Sequence, residues 1–263
     1  MEESGRVAVI TGASSGIGAA LARRLGSEGF RLVIAARREA ELGQVCTDSG
    51  TECRAVTTDV TRRGDVERLR DAALEAFGHV DVWVNNVGRG INASVLDLTD
   101  DQFDLMMAVN VKSALYGMQA VIPYFKTRGS GHLINVSTFL SRVPLATYRS
   151  AYNAAKAALN ALTANARMDL RREYPGIHVS LVIPGMVTTD FPRNALGGTP
   201  AMTWMSADSR RTGAPRVQTA DEVAEAIADL IAHPRAEIYT QPAQVETLRR
   251  YYDNVDAFEL GAG

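Results

Sequence analysis

The chain has 263 residues, 46% of them hydrophobic and 22% charged, with a formal net charge of −2; this is ordinary globular composition, without the concentrated basic face that neutralises nucleic-acid phosphates. Cys46 and Cys53 are the only cysteines, too few for a disulfide framework or a structural zinc site, and they point to a reducing compartment. His79, His132, His178 and His233 have no ligand spacing, the start is short and acidic, and no apolar run approaches about 18 residues, so the expectation is a cytoplasmic protein with no metal, membrane or nucleic-acid partner.

Residues 6–11 read as a short β-branched strand running into Thr11-Gly12-Ala13-Ser14-Ser15-Gly16-Ile17-Gly18, and residues 19–28 have the composition of a helix ended by Gly29. Glycines at such a turn let backbone approach a pyrophosphate, and the helix start offers unpaired N–H groups and the positive end of its dipole. The spacing departs from G-x-G-x-x-G, and a plain tight turn is the bland alternative. A second strand, residues 31–35, ends at Ala36-Arg37-Arg38. About 20 residues past the glycine turn an acid holds the ribose 2′-hydroxyl of NAD, whereas arginine suits a 2′-phosphate. Each guanidinium–phosphate hydrogen bond contributes about 1.5–3 kcal/mol, so Arg37 and Arg38 predict NADP(H), with Glu39 the competing acid.

Residues 53–57 form a third strand leading to Asp59-Val60, residues 65–77 a helix, and residues 80–84 a fourth strand ending at Asn85-Asn86-Val87-Gly88. Polar amides and a glycine at a strand's C-terminal end sit on the edge where open α/β sheets bind ligands. Residues 100–125 support one long helix with Asn110 near its middle, a poor interior helix residue whose position invites a reason. Residues 132–137 are a fifth strand, followed by Thr138-Phe139-Leu140-Ser141.

Residues 151–173 form a long helix that puts Tyr152 and Lys156 one turn apart on one face. A phenol ordinarily ionises near pH ~10 and an adjacent cation favours the phenolate, so such a pair can serve as general acid or base; the same spacing also suits a solvated surface pair. Lysine occurs only at Lys112, Lys126 and Lys156 in a chain that otherwise prefers arginine, and a compact ammonium is a different tool from a guanidinium. A sixth strand, residues 179–183, leads into Pro184-Gly185-Met186-Val187-Thr188-Thr189; residues 219–232 are a helix and residues 237–240 a last strand.

This alternation predicts one α/β domain over residues 1–241, a parallel sheet with helices on both faces. A loop at about 190–218 holds Gly197, Gly198, Pro200 and Pro215 and carries Phe191, Leu196, Met202, Trp204 and Met205. It reads as a substrate lid, or as a surface packed on the domain or a partner. Residues 242–263 form a tail.

The joint order of TGASSGIG, NNVG, Asn110, Tyr152-x-x-x-Lys156 and PGMVTT resembles the short-chain dehydrogenase/reductase family from about Val7 to Thr240. The resemblance implies a Rossmann-type doubly wound parallel sheet and an NADP(H)-dependent oxidoreductase. It would move a hydride between nicotinamide and a ketone or secondary alcohol, a hydrophobic one given the loop, in the reductase direction. It implies that Tyr152 is the proton donor, that Lys156 lowers its pKa and holds the nicotinamide ribose, and that Asn110 orders a water in the proton relay. Gly12, Ser14, Ser15, Gly16, Ile17 and Gly18 would form the cofactor turn. Asp59 would meet the adenine, Asn86 the adjacent ribose region, and Val187 with Thr189 the carboxamide; Val60, Val87, Gly88, Pro184 and Gly185 complete the cofactor set.

Two departures stand out. The family's serine thirteen residues before the tyrosine is here Phe139, and its Asn-Val-Ser-Ser is Asn135-Val136-Ser137-Thr138 with a connection one residue longer. Thr138, with the same donor and acceptor capacity, takes that role, with Ser137 and Ser141 in reserve. Val87 also replaces the usual alanine. At the end of the domain, residues 236–244 read AEIYTQPAQ in place of a V-D-G-G-type strand. That weakens a 3-oxoacyl thioester reductase, one alternative; the other is a catalytically idle NADP-binding regulator, which needs the glycine turn but not Tyr152, Lys156 and Asn110. The family also implies a homodimer or homotetramer built on the two long helices.

Overall fold

In the computed structural model, which describes residues 5–197 and 216–260, strands and helices alternate along the chain. The first half comprises β1 (Val7–Thr11), α1 (Gly16–Ser27), β2 (Arg31–Ala36), α2 (Glu39–Ser49), β3 (Cys53–Thr57), α3 (Arg63–Phe77) and β4 (Val82–Asn85). Then come α4 (Asp100–Met107), a π-helical turn (Ala108–Lys112), α5 (Ser113–Arg128), β5 (Gly131–Val136), a 3-10 turn (Phe139–Ser141), α6 (Ser150–Leu170) and β6 (Ile177–Ile183). The last described elements are β7 (Val187–Thr188), β8 (Gln218–Thr219), α7 (Ala220–Ala232), β9 (Glu237–Tyr239), α8 (Pro242–Asp253) and α9 (Val255–Leu260).

Seven strands pair in parallel in the order β3-β2-β1-β4-β5-β6-β9, while β7 and β8 pair separately. The central strands are runs of Val, Ile, Leu and Ala buried along nearly their whole length, as parallel strands covered on both faces must be. Successive side chains point to opposite faces. Ala8, Ile10, Leu32 and Ile34 therefore join the core under α1, α2 and α7, whereas Val9, Val33 and Trp83 join the core under α3, α5 and α6. Each fully buried Val, Leu or Ile stabilises this arrangement by roughly 1.5–3 kcal/mol. The result is the expected doubly wound Rossmann-type sheet in one domain. Its strand order reverses at β1, which has β2 on one side and β4 on the other, and the crevice outside such a switch point is where open sheets take ligands.

Three expectations change. The single helix over residues 100–125 is interrupted by the π turn, whose centre is Asn110. Asn110 Nδ2 donates to the Met106 carbonyl 3.0 Å away, the acceptor that the backbone N–H four residues on would use, and the local register widens. The run Asp100–Arg128 is long and apolar enough to cross a membrane by length and composition, but half of its apolar 18-residue stretch is buried, and Ala114, Met118, Val121 and Phe125 pack in the core.

Residues 242–260 are helical instead of a plain tail: Pro242 opens α8 behind a Gln241–Gln244 capping box, and Leu248, Tyr251 and Phe258 pack on Phe139, Val143, Leu181 and Ile183. Finally, Cys46 and Cys53 are joined in a disulfide, Cα atoms 5.3 Å apart. The chain leaves α2 through Gly50 in the left-handed region, φ +66°, and turns back to deliver the start of β3 beside the end of α2. The cysteines therefore give no ground for a reducing compartment. Of the lid, Gly198, Pro200, Met202, Trp204, Met205 and Pro215 lie outside the described residues.

Candidate active site

The glycine turn is built as its sequence requires. Gly16 has φ +56°, a region that penalises any Cβ, and a Cβ on Gly18 would lie 2.5 Å from the Gly12 carbonyl oxygen. Ser15 is the N-cap of α1 but makes no side-chain cap hydrogen bond, so the first-turn N–H groups have no side-chain partner there. The Ser14 and Ser15 hydroxyls instead accept from Arg38 Nη2, at 2.9 and 2.8 Å. Arg38 also meets Glu41 at 3.4 Å. Ile17 packs on the first core.

Arg37 lies by Asp59. Burial pushes the Asp59 carboxyl up, but hydrogen bonds from the Thr61 hydroxyl and amide, with Arg37 and Arg62 nearby, outweigh it and hold the group below its ordinary value. Val60, next in line, is buried in the second core.

At the end of β4, Asn86 Nδ2 donates to the carbonyls of Thr11 and Gly12, at 3.1 and 3.2 Å, and its backbone N–H donates to the Thr11 hydroxyl. Its amide therefore fastens the glycine turn to the sheet. Val87 packs against Gly12, and a Cβ on Gly88 would stand 3.4 Å from Asn110 Oδ1 and 3.5 Å from Lys156 Nζ. Asn110, fully buried, accepts from the Arg89 N–H and donates to the Arg89 carbonyl, both at 3.0 Å. The π turn thus clamps the backbone that separates Asn110 from Lys156. Asn85 is a satisfied structural residue, accepting from Trp83 Nε1 and donating to Asn135.

Tyr152 and Lys156 lie on the buried face of α6. Burial pushes the Tyr152 phenol up to about 12, against the Thr138 side chain and the charge of Arg149, both of which favour the phenolate. Lys156 is not among the groups that shift it. The Lys156 amine donates to the Val136 carbonyl at 2.8 Å and the Val87 carbonyl at 3.4 Å, and burial pulls it down to about 7. Ser137 donates to Asn160 Oδ1 at 2.6 Å, and Ser141 accepts from Asn160 Nδ2 at 2.8 Å. Of the three hydroxyls weighed for the substrate oxygen, Thr138 is the one whose side chain acts on the Tyr152 phenol.

The Pro184-Gly185-Met186-Val187-Thr188-Thr189 segment closes over the other side. The Pro184 carbonyl accepts from Phe139 N at 2.8 Å, and Gly185 faces Gln241 and Gln244. Val187 pairs with Gln218 in the small ladder, and Thr189 stands over Gly16, its Cγ2 3.1 Å from where a Cβ would be. Phe191 puts its ring 5.2 Å from that of Tyr152. Sequence reasoning missed Asn160, whose spacing four residues after Lys156 on the same helix was the available signal, and Arg149, for which there was none.

Comparison with known proteins agrees with this arrangement. Residues 6–197 match the family model described as short chain dehydrogenase. An uncharacterised oxidoreductase of Staphylococcus epidermidis is 36% identical over 184 residues, covering 70% of this chain and 79% of the relative. A short chain dehydrogenase/reductase from Burkholderia phymatum, solved in complex with NAD, superposes with a TM-score of 0.84 at 30% identity, covering 99% of this chain and 96% of that one. An alcohol dehydrogenase from the archaeon Thermococcus sibiricus, complexed with 5-hydroxy-NADP, gives a TM-score of 0.72 at 29% identity, covering 89% and 95%.

Proposed function

The chain belongs to the short-chain dehydrogenase family, and on that premise we propose that it is an NADP(H)-dependent carbonyl reductase acting on ketones, or on secondary alcohols in reverse, with Tyr152 as the proton donor. The observation that carries this reading is the burial of Tyr152 and Lys156 on one face of α6, where the Thr138 side chain acts on the Tyr152 phenol and the Lys156 amine reaches the Val87 carbonyl beyond β4. A phenol whose pKa stands at about 12 keeps its proton at neutral pH, as a donor to a carbonyl oxygen must. Thr138 supplies a second hydroxyl to the same oxygen, and Asn110 holds the backbone at Gly88 and Arg89 beside Lys156.

A dinucleotide fits what these residues offer. The turn of Gly12, Ser14, Ser15, Gly16, Ile17 and Gly18 leaves room for backbone approach at an α1 start without a side-chain cap, and Asp59 with Val60 lies at the end of β3. Bound there, the nicotinamide supplies or accepts the hydride. Arg38, held over Ser14 and Ser15 with Arg37 beside it, supports a 2′-phosphate and hence NADP(H). Lys156 and the Val187–Thr189 stretch would orient the nicotinamide end, with Val87, Gly88, Pro184 and Gly185 forming backbone walls. Phe191 and Leu196, packed in the cluster around Tyr152, support an apolar substrate body. Partly exposed Phe103 and Met168, on α4 and α6, support self-association as a homodimer or homotetramer, which light scattering of the purified protein would test.

The test is NADPH consumption with a panel of ketones, aldehydes and acyl-thioester mimics, with Tyr152→Phe in parallel. Turnover that the variant loses is the expected result. Wild-type turnover in Tyr152→Phe would refute the role, and NADPH binding without turnover of any carbonyl would count against the enzyme.

A further inference from the structure

From the surroundings of Arg149 we propose that this residue is a binding group for a carboxylate carried by the substrate, so that the natural substrates are oxo acids or the corresponding hydroxy acids. The proposal deepens, and rests on, the reading of Tyr152 as the reacting side chain. Arg149 precedes α6 and lies three residues before Tyr152, a spacing that places both on one side of the helix. It is only 7% exposed, and its Nη1 is buried without a hydrogen-bond partner. What surrounds the guanidinium is aromatic: its carbon lies 5.5 Å from the centre of the Tyr148 ring and 5.6 Å from that of Phe191. Ring faces attract a cation but accept few of the five N–H groups a guanidinium offers.

Two features of the position are unfavourable to a cation without a counter-ion. Its charge is buried, and among the described residues no carboxylate forms an ion pair with it. It caps the start of a 21-residue helix, the end whose dipole opposes positive charge. The chain also makes room for it, because a Cβ on Gly90 would lie 2.3 Å from Nη1. An arriving carboxylate reverses both: the fork gains a bidentate partner, and the helix start favours the anion. The same Phe191 ring that flanks Arg149 lies 5.2 Å from the Tyr152 ring, so one small molecule spans both groups. Ile91 and Leu196, in the cluster with Tyr152, leave the middle of that molecule aliphatic.

The experiment compares matched pairs, 2-oxo, 4-oxo and 5-oxo acids against their methyl esters, by NADPH consumption with the full chain. The wild type is expected to favour the best acid over its ester by roughly 10- to 100-fold in kcat/KM. Arg149→Met should bring that ratio close to one, and Arg149→Lys, which keeps the charge and loses the fork, should keep part of it. Equal kcat/KM for every pair in the wild type, or an unchanged ratio in Arg149→Met, overturns the proposal; the second is what a merely structural arginine would give. If Arg149→Met does not fold, the wild-type and Arg149→Lys ratios decide. If NADPH binds and no carbonyl is turned over, the reading of Tyr152 has failed. The carboxylate site is then judged by calorimetry of acid and ester on the NADPH-loaded protein, where binding of the acid alone supports it, and equal or no binding overturns it.

Discussion

The Thr138 side chain favours the phenolate of Tyr152, while the hydroxyls of Ser137 and Ser141 are both engaged by Asn160. Position in the network, more than hydroxyl chemistry, separates the three. Thr138→Ala is expected to lower kcat by about 10- to 100-fold, the worth of a hydrogen bond to charge developing on the substrate oxygen. Ser137→Ala should show its effect in thermal stability, because it leaves Asn160 Oδ1 without its donor. Steady-state kinetics and a melting curve on each variant check both halves, and full turnover in Thr138→Ala would assign the role elsewhere.

Arg38 donates to both the Ser14 and the Ser15 hydroxyl in the glycine turn. Arg38→Leu is expected to weaken NADPH binding by roughly 10- to 100-fold and NADH binding by far less. Fluorescence titration with both cofactors reads the difference. An equal loss for the two would mean that Arg38 holds the turn and does not read the phosphate.

Lys156 is buried and pulled down from 10.5 to about 7 by that burial. The folded state then binds fewer protons than the unfolded chain between those values, so this group's contribution is fully present above pH 10.5 and is lost as pH falls to about 7. Lys156→Met removes the dependence. Without cofactor, the variant's gain in melting temperature over the wild type should be largest near pH 7 and shrink as pH rises towards 10; a gain that does not change with pH would show that the amine stays charged at no cost. The same variant should lose turnover.

His132, 5% exposed with Nε2 on the Ser180 hydroxyl at 2.8 Å, is pushed down from 6.5 to about 3 by burial, helped by the charges of His178 and Arg6. Its folded-state pKa is depressed, so its share of stability holds above pH 6.5 and is lost as pH falls towards 3. His132→Gln should flatten the fall in melting temperature over that range. An unchanged acid profile would place the sensitivity at other groups.

Much of this was legible because strand and helix periodicities leave marks in sequence. The buried runs at β1 and β2, the glycine turn and the Tyr152–Lys156 spacing are local patterns, and local patterns survive without coordinates. The π turn was not legible, since Asn110 redirects an acceptor without breaking the apolar pattern around it. Nor was the use of Asn86, whose side chain turns to the glycine loop through contacts some 74 residues distant in sequence. The helices after Pro242 had a readable signal, proline at a helix start, that the sequence reading passed over. Burial of Arg149 and pairing of Cys46 with Cys53 depend on how separate elements meet, and one sequence carries no trace of that.

The two C-terminal helices rest on the short turn that follows Thr138, through Leu248, Tyr251 and Phe258 against Phe139 and Val143. These two helices thereby buttress the turn that follows Thr138. A substitution that loosens α8 or α9 would therefore reach the reacting centre through packing alone, without touching Tyr152.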